Sequence, residues 1–180
     1  RDLHVGKLLT PSNTAGLMLG ADAGRTPAAI IGQVDYTGRL LVYHALAATD
    51  KSAMRFIRED LIPLLTNRFG GSKPKVCIDP AAFTRGQADE RTVADIYRAH
   101  GFKVVPAPGN NRLAARMSAV DSMLTRLVDG KPITLIDEEH CQPLIQALAG
   151  KYRYRLRKDG SAEDEPEKSH PWSDLGDAFQ

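Results

Sequence analysis

Long hydrophobic runs are missing from this sequence, and so is an excess of one charge sign. Its 180 residues carry 24 Lys and Arg against 22 Asp and Glu, a formal net charge of +2. That balance excludes a molecule-wide polycation, so any contact with nucleic acid must come from local clusters. No apolar stretch approaches the length of a membrane span, and no secretory leader is visible. The two cysteines, Cys77 and Cys141, lie far apart without C-x-x-C spacing. Buried, reduced thiols of a cytosolic chain are therefore expected. There is no G-x-x-x-x-G-K-(S/T) phosphate loop, no internal repeat and no low-complexity tract. The chain starts at Arg1 rather than Met. Residues 1–15 are expected to be a linker or a leftover of a longer protein, and residues 16–180 a single domain of sufficient length for a full core.

What is present is a clear alternation of short apolar runs and turns. "GLMLGAD", "PAAIIGQVD" and "RLLVYHALAA" read as three strands, joined closely enough to form an antiparallel meander. A helix is predicted from about Lys51 to Asn67, with Pro63 kinking or shortening it. "KVCID" is continuously apolar, as a central parallel strand should be. A second helix, near 91–100, stops at Gly101, and "FKVVPAP" is another strand. The clearest helix spans about 112–128, where Leu113, Met117, Val120, Leu124 and Leu127 recur at spacings of four and three and Gly130 closes it. "PITLI" is a further strand and "QPLIQALAG" a short helix. Three antiparallel strands followed by helix–strand units predict an α/β domain, a mixed sheet with helices on both faces.

Two strands finish on an acid. Asp22 ends the first and Asp79 the fourth, and if those strands are parallel neighbours both carboxylates emerge at the carboxyl edge of the sheet, where open α/β sheets bind ligands. In the tail "SHPWSDLGDAFQ", Asp174 and Asp177 share one face of a helix. Carboxylates held close repel unless a cation lies between them, and hard oxygen donors suit Mg²⁺ or Mn²⁺. Paired ions of that kind can clamp the attacking and leaving oxygens of a phosphodiester. Each acid also has a plain structural reading, as a turn former or cap.

The segments "GADAGRTPAAIIG", "CIDPAAFTR", "PGNNRLAARMSAVDSML" and "KSHPWSDLGDAFQ" together resemble the nuclease domain of the terminase large subunit of tailed bacteriophages. The likeness covers nearly all of the chain from Gly16 onward. It implies a ribonuclease H-like fold in which Asp22, Asp79 and Asp177 bind two Mg²⁺ or Mn²⁺ ions. The tail is longer than the family's between Ser169-His170-Pro171 and Asp177-Ala178, so Asp174 can share or take the third role. The implied activity is metal-dependent endonucleolytic cleavage of double-stranded, concatemeric viral DNA during packaging. The implied setting is the cytoplasm of an infected bacterium, with an ATPase domain that this chain lacks, the small terminase subunit and the portal as partners. Another ribonuclease H-like nuclease such as a resolvase is an alternative. "DAGRT" also fits the phosphate turn of actin-like ATPases and sugar kinases, which need a second lobe.

Basic residues add candidates for DNA contact. "KYRYRLRK" alternates with period two, placing Lys151, Arg153, Arg155 and Arg157 on one side of a strand and Tyr152 and Tyr154 on the other. The turn "KDGS" and acidic "AEDEPEK" complete a C-terminal β-hairpin, which precedes the last helix. The basic side can track a phosphate backbone or protect an exposed edge. Arg25 and Thr26 follow Asp22 and can orient a phosphate. Arg112 and Arg116 share a helix face, and Lys168 and His170 precede the last acids.

Overall fold

The computed structural model describes residues 3–8, 11, 13–14, 16–85, 91–108, 112–157, 159 and 161–180. In chain order the strands and helices are β1 (Val5–Gly6), β2 (Met18–Asp22), β3 (Ala28–Val34), β4 (Leu40–Ala47), α1 (Ala53–Phe56), α2 (Ile62–Phe69), β5 (Lys75–Ile78), α3 (Val93–Ala99), β6 (Val104–Pro106), α4 (Leu113–Thr125), β7 (Leu127–Val128), β8 (Lys131–Pro132), β9 (Thr134–Asp137), α5 (Gln142–Gln146), β10 (Tyr154–Leu156), β11 (Ala162–Pro166) and α6 (Trp172–Phe179).

Seven strands form one mixed sheet in the order β1-β9-β4-β3-β2-β5-β6. β2, β3 and β4 pair antiparallel, as their short turns demand. β5 then adds parallel to β2, β6 parallel to β5, and β9 parallel to β4. Period-two alternation divides the apolar residues between two cores. Leu19, Ala29, Ile31, Val76 and Ile78 face a cluster with Phe56, Ile57, Leu61, Leu65, Phe69 and Tyr97 from the α1–α2 run and α3. Ala28, Ile30, Val42 and Ile136 face Leu144 and Ile145 of α5 and Leu175 and Ala178 of α6. Helices therefore cover both faces, in a ribonuclease H-like arrangement.

Local sequence explains most boundaries. α1 and α2 are one continuous run joined by a π turn, Ile57–Leu61, that ends two residues before Pro63. The extra residue per turn absorbs the proline, whose ring would strike the carbonyl of the preceding turn in a regular helix. Gly70 ends α2 in the left-handed region, at φ 59. α3 begins with a reciprocal capping box between Thr92 and Asp95, and Gly101 follows it at φ +85.

Three expectations need correction. Val5 and Gly6, within the stretch read as linker, hydrogen-bond as an edge strand along β9. α4 forms where its periodicity indicates, but none of its residues is fully buried. It ends at Thr125, leaving Leu127 55 % exposed in β7 and Gly130 in the β7–β8 turn instead of at the helix end. Its apolar stripe faces a groove shared with Leu148, Tyr152 and Phe179, so it lies over the domain as an outer layer. The β10–β11 hairpin forms, but β10 is three residues long, so Lys151 and Arg153 precede it. Parts of the expected turn "KDGS" and all of the segment at 109–111 lie outside the described residues.

Candidate metal centre

The site is assembled where α6 crosses β2. Gly20 interrupts the apolar run of β2, and a Cβ there would stand 2.1 Å from the carbonyl oxygen of Ala178. Glycine thus lets the helix backbone rest on the strand backbone. Gly20 and Asp22 alternate with the buried Leu19 and Ala21, so both belong to the face that α6 covers. Asp22 comes to one wall of a cleft of about 770 Å³ whose other walls include Asp79, Asp174, Asp177, Lys168 and Arg116.

Asp79 reaches the same cleft from the neighbouring strand. Ala21 pairs with Ile78, so Asp22 and Asp79 are the next residues beyond the last pair of two parallel strands. Val76 and Ile78 are buried in the opposite core, which puts Cys77 and Asp79 on the α6 face. Asp79 also caps the following 3₁₀ turn, accepting a hydrogen bond from the Ala81 N–H at 2.7 Å.

Asp174 and Asp177 lie one helical turn apart on α6, each followed by a residue, Leu175 and Ala178, that anchors the helix in the core. Each acid has a partner. His170 donates from Nδ1 to Asp174 Oδ2 at 2.6 Å. Tyr152 donates its hydroxyl proton to Asp177 Oδ1 at 2.9 Å, and Lys168 Nζ donates to Oδ2 at 2.6 Å. Arg116 Nη1 stands 3.7 Å from Asp177 Oδ1, with its Nε buried and unpaired among the described residues.

The electrostatics are those of converging like charges. Burial pushes the Asp22 carboxyl up to about 6, with Asp177 adding to the rise, the Gly24 N–H opposing it, Asp174 adding further and Lys168 opposing. Asp22 at the end of β2 thus feels both acids of α6. The cation nearest these acids is Lys168, whose ammonium is itself pushed up in pKa: burial opposes the rise, and its hydrogen bond to Asp177 with the nearby carboxylates outweighs it.

The donor set fits a hard divalent cation: carboxylate oxygens from two strand ends and one helix, with the half-buried Cys77 kept a thiol by burial, which pushes its pKa up. In the arrangement described, no three His, Cys, Asp or Glu side chains among the described residues close around one point. Asp174 Oδ2 is instead bonded to His170, and both oxygens of Asp177 are taken by Tyr152 and Lys168.

The remaining candidates divide. Arg25 reaches the mouth of the cleft but ion-pairs with Asp50 at 3.0 Å, 89 % exposed. Thr26 is buried. Lys151 lies over the Trp172 ring at 5.2 Å. Arg153, Arg155 and Arg157 are exposed, while Tyr152 and Tyr154 turn inward as alternation requires. Arg155 pairs across the hairpin with Glu167 at 3.4 Å. Sequence reasoning missed the contribution of Gly20, Tyr152 and Gln180. Gly20 had a signal, a glycine inside a strand, which marks close approach of another backbone. Tyr152 and Gln180 had none, since the contact of Tyr152 with Asp177 and that of Gln180 with Tyr152 depend on how α6 packs.

The fold is similar to that of solved nuclease domains of phage large terminases. Among solved structures, the nuclease domain of the P22 large terminase matches over 99% of this chain and 84% of its own, with a TM-score of 0.68 and 14% sequence identity. The large terminase of a thermophilic bacteriophage, determined in complex with ATP-γ-S, matches over 99% of this chain with a TM-score of 0.68 and 16% identity, and this chain spans 42% of its length. The nuclease domain of the large terminase g2p of bacteriophage SPP1, determined with bound Mn, matches over 99% of this chain and 96% of its own, with a TM-score of 0.56 and 15% identity. No protein-family profile and no curated protein matches the sequence. Among the described residues, no helix is long and apolar enough to cross a membrane.

Proposed function

We propose that this chain is a divalent-metal-dependent endonuclease that cuts double-stranded DNA, with the processing of a concatemeric phage genome during packaging as its biological role. The observation that carries this reading is the convergence of Asp22 with Asp174 and Asp177 in one cleft at the carboxyl edge of the sheet, where burial and the two acids of α6 raise the Asp22 carboxyl to about 6. The bound Mn in the SPP1 nuclease domain, which shares the fold, supports the choice of cation.

Asp22, Asp79 and Asp177 would hold two Mg²⁺ or Mn²⁺ ions, with Asp174 sharing the third position. Such ions supply Lewis acidity toward a phosphodiester and neutralise the charge that develops during hydrolysis. The protein's own groups do the rest. α6 fixes Asp174 and Asp177 against β2, and His170 orients Asp174 through its Nδ1 hydrogen bond. Arg116, at the cleft wall, can engage a backbone phosphate oxygen. The exposed Arg153, Arg155 and Arg157 would extend that contact along the duplex without reading sequence. An ATPase domain in the same polypeptide, the small subunit and the portal are the proposed partners, in the cytoplasm of an infected bacterium.

Plasmid cleavage tests this. The parent chain nicks and linearises supercoiled DNA only when Mg²⁺ or Mn²⁺ is supplied, and Asp22→Ala and Asp79→Ala lose that activity. Variants that cut as fast as the parent after identical purification would overturn the assignment.

A further inference from the structure

One carboxylate in the cleft is clasped from both stems of the same hairpin. Tyr154 pairs with Pro166, and the Glu167 N–H donates to the Arg153 carbonyl at 2.8 Å. The next residues toward the base are Tyr152 on one stem and Lys168 on the other. Their polar ends take different oxygens of Asp177: Tyr152 holds Oδ1 and Lys168 holds Oδ2.

The two partners are not equivalent. Tyr152 is fixed, because its ring lies against Gly176, where an added Cβ would be 2.8 Å from the ring carbon Cδ1. Its hydroxyl accepts a hydrogen bond from Gln180 Nε2 at 3.0 Å, which directs its own proton to Asp177. Lys168 is a flexible side chain, 69 % exposed, reaching in from the surface, while Asp177 itself is 14 % exposed. Its ammonium can leave for water without disturbing any packing.

We propose that Tyr152 and Lys168 divide the Asp177 carboxylate between a permanent and an exchangeable partner. Tyr152 is a positioning residue that fixes Oδ1, and Lys168 is an internal counter-ion that holds Oδ2 until a divalent cation takes it. This rests on the metal-site reading above. An ammonium and a divalent ion cannot both sit on one oxygen without strong mutual repulsion, so metal loading and departure of Lys168 are one exchange. A hydroxyl on the far oxygen aims the carboxylate in the manner of outer-sphere partners elsewhere, whose loss costs about 10–100-fold in metal affinity.

Mn²⁺ titration of the full chain without DNA tests the proposal, read by calorimetry and by the melting temperature. Lys168→Met and Lys168→Gln tighten the apparent Kd for Mn²⁺ by about threefold or more, since a competing charge is gone. Tyr152→Phe weakens it by about tenfold while the metal-free melting temperature stays near that of the parent. Two results would overturn the proposal: Lys168 variants that bind Mn²⁺ no tighter than the parent, or a Tyr152→Phe variant that loses stability without losing affinity. Asp22→Asn separates the two levels. If it weakens Mn²⁺ binding while the hairpin variants do not move it, the metal site stands and the division of Asp177 falls; if it leaves Mn²⁺ binding unchanged, the metal-site reading falls with it.

Discussion

The carbonyl oxygen of Ala178 lies directly over Gly20, closer than any side chain at residue 20 would permit. This backbone-to-backbone seat sets where α6 sits, and therefore how near Asp174 and Asp177 come to Asp22. A methyl group at residue 20 cannot be accommodated by rotating a side chain, because the obstacle is main chain. Gly20→Ala is expected to cost about 1–3 kcal/mol, the range for overpacking, and to lift α6 from the sheet. Denaturant melts measure the cost, and a blunted response to Mn²⁺ in the surviving fold shows that the acids have separated.

Gly176 does the same for Tyr152. Gly176→Ala drives a Cβ into the Tyr152 ring, 2.8 Å from its nearest carbon. The ring must move, and its hydroxyl leaves Asp177. The variant is expected to melt lower than the parent, whereas Tyr152→Phe keeps the ring in place and melts near it.

Two half-buried groups oppose each other as pH falls. Asp22 is raised to about 6 in the folded protein, so the native state binds its proton more tightly than the unfolded chain does, and this group's destabilising effect is relieved as pH drops from above 6 toward 4. His44 is lowered to about 4 by burial and by the adjacent Arg68 guanidinium and His140, with Asp137 opposing. Its Nδ1 accepts a hydrogen bond from Arg68 at 2.8 Å. Here the unfolded chain binds the proton more tightly, so stability is lost between about 6.5 and 4. Asp22→Asn should therefore steepen the fall in melting temperature on acidification from pH 7 to 5, and His44→Asn should flatten it.

Asp22→Asn carries a second expectation. A neutral amide avoids the burial and repulsion that the carboxylate suffers, so the metal-free protein gains about 1–2 kcal/mol at pH 7, reduced from the full shift because the cleft is open to water. A cleft that is more stable without its acid is one strained for binding. Urea melts in chelator measure the gain.

The hairpin's arginines predict salt dependence. Replacing Arg153 or Arg157 by Ala should weaken duplex binding about equally for unrelated sequences and lower the slope of log affinity against log salt by about one for each phosphate contact removed. Fluorescence anisotropy with catalytically silent protein measures both.

Much of this architecture was legible from the residues. The β2–β3–β4 meander follows from period-two runs broken by very short turns, and the parallel β5 from an unbroken apolar run. The positions of Asp22 and Asp79 follow from strand direction alone. What escaped was set by tertiary contact. A two-residue strand such as β1 leaves no periodic signal. The stripe on α4 marks which side is apolar, not that its cover is a groove instead of a core. The pattern of apolar residues and then an acid recurs at Asp137, yet there the carboxylate is buried and accepts from the Leu8 N–H at 2.8 Å and the His140 N–H at 2.9 Å. The motif fixes the edge of the sheet but not whether an acid serves a ligand or a turn.

The most direct test is a crystal of this chain soaked in Mn²⁺ and measured at a wavelength where manganese scatters anomalously. The account predicts one or two strong peaks bounded by the carboxylates of Asp22, Asp79 and Asp177, with the Lys168 ammonium displaced. Manganese found only elsewhere, with Lys168 still on Asp177 and the cleft free of anomalous density, would contradict it.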